Sequence, residues 1–556
     1  MEEKIYVVTL HRQEDLEQFY YDMNHNNFKI ALKRPLSRNT HYWLTEEDAK
    51  QLCEDSRVWG VELQDDFQIR PQTIVNNNLY NKSGIFWKDD TVGPATVAAT
   101  DLQWGHLHCS GNQLQRRKGS FGRTQQETVS DSISVYNDGK HVDVVIVDDP
   151  VSYDCVEFNS PSTGSSRFVQ YQWFNQLNSY ISSIDDDGQS VPTGTISYHT
   201  NGSNPYFHGV HVTGTACGQY YGWARESNIY NLAVTGVWQS GQSVGALLIF
   251  DYLRAFHRYK AVNPTTGKKN PTITNHSYGG IVYMPNNDFR ISGVSSVYYR
   301  GNTYNSSSPG PSGWTELGLT TDFGLVWGVD VYPAWSAAIS ADIQDAIDDG
   351  IVIIGAAGND NLMIASPDDQ DWNNYVFTTT SQIIHYNRGA WPNTPDSGSI
   401  TVGALSNYSN FRRSTYTQYG PGVDIFAPGD AIISAYNNSG LSDSKYGGSP
   451  NYYYPLSGTS MASPQVCGAV VISASGKDRY TQSDAKKYLN DTSISNDMTF
   501  NTAGGGFTDA TCQKGSPNLY LHVENLRKTS GVIEEVRGER KSSGQIFPRR
   551  SLYYSQ

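Results

Sequence analysis

The sequence predicts an α/β fold: a parallel sheet flanked by helices, preceded by a small α+β ferredoxin-like unit. Three observations carry that expectation. Over residues 104–525, short apolar runs fit for buried strands alternate with segments fit for crossover helices. Ahead of them, residues 4–63 follow the order β-α-β-β-α-β of a split βαβ unit. Between the two, residues 71–103 carry Asn76-Asn77-Asn78, Gly84, Gly93-Pro94 and little apolar periodicity, and read as a linker.

In chain order, Lys4 to Leu10 is strand-like, and Asp15 to Met23 has the acidic start and apolar spacing of a short helix. Phe28 to Leu32 and Tyr42 to Leu44 are strands. Thr45-Glu46-Glu47-Asp48 is a capping-box pattern that opens a second helix through Cys53, and Val58 to Leu63 closes the unit at about residue 70. In the larger region, Val142 to Val147 is a near-continuous apolar run, interrupted by Asp143, of the kind a buried parallel strand needs. Val244 to His257 and Ala337 to Ile347 read as helices, each followed by a strand, Thr272 to Asn275 and Ile351 to Gly355. Residues 280–335 are rich in Ser, Asn, Gly and Tyr and read as a surface insertion. Residues 526–556 turn charged and poor in apolar side chains, as a polar tail does.

Composition excludes several classes of function. The 556 residues are 38% hydrophobic and 17% charged, a globular balance, and the formal net charge of −14 argues against nucleic acid as a partner. No run approaches the roughly 20 apolar residues that cross a bilayer, so no membrane association is expected. The acidic start Met1-Glu2-Glu3-Lys4 and the short run Ile5 to Leu10 do not read as a signal peptide, and the compartment stays unassigned. Six cysteines without a C-x-x-C pair point to free, buried thiols; a bridge among Cys109, Cys155 and Cys512 stays open.

Four strings carry chemistry. In Gly458-Thr459-Ser460-Met461-Ala462-Ser463-Pro464, a sharp entry into a helix would expose the Ser460 Oγ and aim backbone N–H groups at a developing oxyanion. Pro464 fits the first helical turn, where no N–H bond is lost. In His208-Gly209-Val210-His211, a histidine can take and return a proton near neutral pH, and the glycine suggests a closely packed helix. Two histidines three apart could instead bind metal, but no third ligand sits at a fitting spacing. Asp148 ends the apolar run, where open α/β sheets place functional groups. Asn359, in Ala356-Ala357-Gly358-Asn359, can donate N–H without titrating. Taken singly, the strings around Ser460, Asp148 and Asn359 each have an ordinary reading as a turn or cap.

Together these strings resemble the subtilisin-like serine protease family, which has the same order of Asp, His and Ser. Ser277-Tyr278-Gly279-Gly280 is similar to the family's substrate-pairing segment, and Ile400 to Ala404 and Phe426 to Gly429 to two framework strings. The resemblance implies a subtilisin-like parallel sheet. It implies Asp148 as orienting acid, His208 as base, Ser460 as nucleophile and Asn359 as oxyanion donor. Ser277, Tyr278, Gly279, Ala357 and Gly358 would bind substrate. After the acid the family usually has a small hydroxyl residue and Gly; here Asp149-Pro150 stand.

The resemblance further implies a serine endopeptidase made as a self-processing precursor. Polypeptides would be its substrates, and its own N-terminal unit an inhibitory pro-domain. A cut is expected between Phe67 and Gln103. No metal or other cofactor is expected in catalysis, while structural calcium, frequent in the family, has no residues assigned to it. Two other classes remain: a catalytically silent module of the same fold, and a carbohydrate- or surface-binding protein using the Tyr-rich stretch Ser295 to Trp314.

Overall fold

The computed structural model describes residues 3–34, 36–64, 69–71, 103–110, 137–181, 191–284, 288–406, 412–437, 446–448, 451–496, 498, 515–523, 526–529 and 532–535. The N-terminal unit comprises β1 (Lys4–Leu10), α1 (Leu16–His25), β2 (Lys29–Lys33), β3 (Asn39–Leu44), α2 (Glu46–Leu52) and β4 (Val58–Leu63). Its sheet runs β2-β3-β1-β4 with every neighbouring pair antiparallel, so each β-α-β unit is split by a strand of the other. Val8, Leu10, Phe19, Met23 and Tyr42 form its core. The Thr45 side chain accepts the Asp48 N–H and the Asp48 carboxylate takes the Thr45 N–H, which fixes the start of α2.

A short strand, β5 (Ile69–Pro71), follows, and then α3 (Trp104–Ser110). The larger region opens with β6 (Asp143–Asp148), α4 (Trp173–Ile181), α5 (His208–Cys217), β7 (Asn228–Ala233), α6 (Ile249–Tyr259) and β8 (Thr272–His276). It continues with β9 (Tyr278–Tyr283), β10 (Val294–Tyr299), β11 (Asn302–Tyr304), α7 (Glu316–Phe323), β12 (Val331–Pro333), α8 (Ala337–Asp348) and β13 (Val352–Ala356). Then come β14 (Tyr375–Thr378), β15 (Ile383–Ile384), β16 (Ile400–Leu405), β17 (Ile425–Pro428), β18 (Ile432–Tyr436), β19 (Tyr446–Gly448) and β20 (Asn451–Leu456). It closes with α9 (Thr459–Ala474), α10 (Gln482–Thr492), β21 (Ile494–Ser495), β22 (Leu519–Tyr520), β23 (Leu526–Thr529) and β24 (Val532–Glu535).

Eight strands form the main sheet in the order β21-β22-β17-β16-β13-β8-β6-β7, parallel from β22 to β7. All six residues of β6 are buried, which is why its sequence is apolar on both faces. Asp143, the carboxylate at the start of the strand, is held by Lys260 Nζ at 2.7 Å and by the amides of Asn228 and Asn270 at 2.8 Å each. A buried carboxylate so paired is tolerated at the start of a core strand.

The N-terminal unit rests on α6 and α8. Arg34, fully buried, donates from Nε to Asp251 on α6 at 2.7 Å and from Nη2 to Asp342 on α8 at 2.6 Å. Asn39 also donates to Asp342, and Glu62 accepts the Ala338 N–H at 2.7 Å, capping α8 across the interface.

Three readings of the sequence change; Pro464, expected in the first helical turn, is the sixth residue of α9 and lies inside it. Residues 280–335 contain β10, β11, α7 and β12 and share a hydrophobic core of their own, with Val297, Leu319, Phe323, Tyr332, Val376 and Tyr386 among its members. Its apolar residues come in short runs, such as Val297-Tyr298-Tyr299 and Leu325-Val326-Trp327, separated by polar stretches. Residues 526–535, assigned to the tail, include the antiparallel pair β23–β24, whose charged residues Arg527, Lys528, Glu534 and Glu535 gave little strand signal. Cys53, Cys109, Cys155, Cys217 and Cys467 are free, so Cys109 and Cys155 are not bridged, and Cys512 lies outside the described residues. Among the described residues no helix is long and apolar enough to cross a membrane. Most of the stretch read as a linker, and of the window for the cut, also lies outside them.

Candidate active site

The parallel sheet delivers three strand ends to one place: Asp148 at the end of β6, Ser277 just after β8, and Ala357 to Asn359 just after β13. Two buried helices, α5 and α9, supply His208 and Ser460 within their first turns.

Asp148 Oδ1 accepts the Asp149 backbone N–H at 2.7 Å and His208 Nδ1–H at 2.6 Å. A carboxylate on Nδ1 holds the imidazole in the tautomer that leaves Nε2 as the base. Nε2 is buried and has no hydrogen-bond partner among the described residues. Burial pulls the His208 pKa down, but the charge and hydrogen bond of Asp148, aided by Asp149, outweigh it and hold the pKa above its ordinary value. The tight fit explains the sequence around His208. A Cβ at Gly209 would lie 2.4 Å from the Asp149 carbonyl oxygen, so only glycine lets α5 approach the strand end.

Asp149 points elsewhere: its Oδ1 accepts Thr235 Oγ1–H at 2.6 Å. Burial, then the neighbouring Asp148 charge, push its pKa up to about 6. The turn through Pro150 is pinned by Asn231 of β7, whose amide donates to the carbonyls of Ile146 (3.2 Å) and Asp149 (3.1 Å) while its Oδ1 takes the Val151 N–H at 3.1 Å. Asp148, Asp149 and His208 are also the one cluster of acidic and imidazole donors found within 4.8 Å of one another among the described residues. Since Asp148 and His208 are bonded to each other and Asp149 to Thr235, the set fits proton transfer better than metal ligation. His211 is a structural tie, its Nε2 lying 2.9 Å from the carbonyls of Ile432 and Tyr454.

Ser460 is the second residue of α9. The turn before it is possible because Gly458 has φ 156° and ψ 163°, a region that side chains exclude. The Ser460 hydroxyl donates to the Ser277 carbonyl at 2.9 Å, and the Ser277 hydroxyl returns the bond to the Ser460 carbonyl at 2.9 Å. Asn275 donates to Ser277 Oγ at 2.9 Å and accepts Ser463 Oγ–H at 2.7 Å, which locks the strand to the helix. Asn359 Oδ1 accepts the backbone N–H (2.9 Å) and hydroxyl (3.0 Å) of Thr459, leaving its Nδ2 as the donor end beside the Gly458–Ser460 turn. Gly358 N–H bonds Thr459 Oγ1 at 3.1 Å, and Ala357 is buried against β16, its N–H on the Val402 carbonyl at 2.9 Å.

Asn393, which the sequence reading did not single out, is fully buried behind these strands. Its Nδ2 lies 3.3, 3.2 and 3.0 Å from the carbonyls of His276, Tyr278 and Ala356. It thereby ties the start of β9 to the end of β13. On the open edge of β9 runs β5, antiparallel, with Ile69 opposite Gly280, Arg70 opposite Gly279 and Pro71 opposite Tyr278.

Several known proteins resemble this chain. Alkaline serine exoprotease A of Vibrio alginolyticus is 24% identical over 417 residues, 74% of this chain and 53% of that protein. Proteinase R of Parengyodontium album is 30% identical over 176 residues, 32% of this chain and 35% of its own. The chain thus spans about half the length, or less, of these curated relatives. The crystal structure of fervidolysin from Fervidobacterium pennivorans, a keratinolytic enzyme related to subtilisin, superposes with a TM-score of 0.47 at 16% identity, covering 94% of this chain and 60% of that one. The sequence profile of the Subtilase family matches residues 139–520, a span that holds Asp148, His208, Asn359 and Ser460 and well over half of the chain. The chain belongs to the subtilase family.

Proposed function

We propose that this chain is a serine endopeptidase that first cleaves itself. The observation that carries the reading is main-chain pairing beside the nucleophile: β5 lies along Tyr278 to Gly280, next to the Ser277 carbonyl that holds Ser460 Oγ. A cleft that takes a polypeptide as an added strand recognises backbone first and side chains second.

The chemistry is acyl transfer. Ser460 Oγ attacks the carbonyl carbon of the scissile bond while His208 Nε2 takes its proton, and Asp148 stabilises the imidazolium. Asn359 Nδ2 and the Ser460 backbone N–H hold the oxyanion. Collapse breaks the C–N bond, the amine leaves with the proton from His208, and a Ser460 ester remains. Water then attacks that ester, gives its proton to His208, and releases the carboxylic acid and free Ser460. Every group used belongs to this chain, and no step needs a cofactor.

The register suggests where the first cut falls. In an antiparallel ladder each step forward on one strand is a step back on the other, so a ladder continued past Pro71–Tyr278 would set the next residue, Gln72, against Ser277. Gln72 would then be the acyl residue and Thr73 the new N-terminus, inside the window the sequence set. Tethering gives this segment a high effective concentration at the site. The N-terminal unit, held by Arg34 and Glu62, would remain bound as an inhibitor until degraded.

N-terminal sequencing and intact mass of purified wild type and Ser460→Ala test both parts. Wild type should yield a fragment starting at Thr73, and Ser460→Ala should stay full length. A serine-directed fluorophosphonate should label wild type alone. A folded wild type that neither labels nor cleaves peptides would be the catalytically silent module.

A further inference from the structure

The strand that pairs with β5 does not stop where β5 does. β9 continues through Ile281, Val282 and Tyr283, and those three residues are backed on their other edge by β12, paired Ile281–Pro333, Val282–Tyr332 and Tyr283–Val331. Residues along a strand direct their N–H and C=O to alternate edges. The hydrogen bonds fix which residues face which way. Gly280 gives its N–H to the Trp391 carbonyl at 2.7 Å and takes the Ala334 N–H at 3.0 Å, and the Met284 N–H goes to the Asp330 carbonyl at 2.8 Å. Gly280 and Met284 therefore face β12 and the Trp391 loop, and so does Val282 between them. Gly279, Ile281 and Tyr283 face the opposite edge, where Arg70 sits across from Gly279.

We propose that the acyl side of a peptide substrate is read along this whole edge, with main-chain pairing at Ile281 and Tyr283 beyond the pairing at Gly279. Counting back from the scissile bond in the register of β5, Gly279 meets the third residue, Ile281 the fifth and Tyr283 the seventh. From Gly279 to Tyr283 the edge runs roughly 14 Å. The occupant follows from continuity: the same edge, one turn of the ladder earlier, already carries a polypeptide strand of this chain. The segment 280–335 thereby has a role: it supplies β12, which keeps the lengthened strand flat and in register instead of letting it fray. Its substrates are polypeptides that can present an extended run of about seven residues ahead of the cut, so short peptides and folded loops are poor competitors.

This rests on the endopeptidase reading, and the test keeps the two apart. A set of seven-residue anilide substrates of one sequence carries a single N-methyl group on the amide of the third, fifth, sixth or seventh residue, or none, and kcat/KM is measured with the wild-type protein freed of its N-terminal unit. A hydrogen bond between uncharged groups contributes about 0.5–1.5 kcal/mol, so methylation at the third, fifth and seventh residues should each cost about 2- to 10-fold, while methylation at the sixth, whose N–H faces away, should be tolerated. Equal tolerance at the fifth and sixth residues, with loss only at the third, overturns the extended edge and leaves the protease intact. No hydrolysis of the unmethylated peptide, in a protein proved free of its N-terminal unit, overturns both.

Discussion

Ser277 and Ser460 hydrogen-bond each other twice, hydroxyl to carbonyl in both directions, at 2.9 Å each. The Ser460 hydroxyl proton therefore rests on Ser277 and not on His208, whose Nε2 has no partner among the described residues. The Ser277 carbonyl is also where a substrate paired in the β5 register would place the N–H of its acyl residue. Arrival of that N–H competes for the carbonyl and frees the hydroxyl to turn to His208.

An ester substrate that lacks the acyl-residue N–H cannot compete in this way. We expect its acylation to be slower than that of the matching N-acyl amino acid ester by about 10-fold, the worth of one net hydrogen bond. Single-turnover burst kinetics on the two esters measures it. Equal rates would mean that Ser460 turns without help.

The two adjacent aspartates should separate cleanly. Asp148→Asn should lower kcat by about 10⁴-fold, because the imidazole loses its tautomer and its counter-charge. Asp149→Asn should be mild and should show in the pH profile. His208 must be neutral to act as base, so activity falls as pH drops through its pKa. Asp149 contributes to raising that pKa, and the asparagine removes the contribution. The acid limb of kcat/KM should therefore move to lower pH. A limb that stays or moves up would exclude Asp149 from the electrostatics of His208.

Asn359→Leu should fold, since the Asn359 side-chain oxygen ties down a single neighbouring turn, at Thr459. It should lose about 10² to 10³-fold in kcat with little change in KM, a magnitude taken from a subtilisin in which one such donor was removed. Steady-state kinetics on a short peptide anilide decides it.

Glu157 gives a prediction on stability. Its Oε1 accepts the N–H groups of Tyr220 (2.9 Å) and Tyr221 (2.8 Å), which shapes the loop after α5. Burial, only partly offset by those N–H groups, pushes its pKa from 4.5 up to about 7. The folded state thus holds a proton that the unfolded chain releases, and this stability is full below the unfolded pKa and lost as pH rises through about 7. The whole span is worth about 3 kcal/mol. Glu157→Gln should flatten the fall of Tm between pH 5 and 8 relative to wild type. Parallel Tm–pH curves for the two would show that Glu157 stays ionised throughout.

The sequence exposed those parts of the molecule whose work is local. The capping box at Thr45, the apolar run into Asp148 and the glycine turn before Ser460 each act within a few residues, so their composition announces them. Asn393 was not legible, because in Trp391-Pro392-Asn393-Thr394 it looks like an ordinary turn residue, and its amide works on carbonyls 37 to 117 positions away. Arg34 was hidden for the same reason, its partners lying 217 and 308 positions on. The core of residues 280–335 escaped notice because its apolar residues come from several short elements and from beyond the segment itself, as Val376 and Tyr386 do.

Arg34 also sets an order of events. Asp251 and Asp342 sit on neighbouring helices and share one guanidinium as their counter-ion. While the N-terminal unit is in place, bringing those helices together is an attraction between a cation and two anions. Without it, the same step juxtaposes two like charges, and a buried charge left without its partner costs about 3–5 kcal/mol. Assembly of this helix pair is therefore favoured in a chain that still carries its N-terminal unit. Were the N-terminal unit cut away as proposed, a chain that later unfolded would meet on its return a barrier it did not face at first.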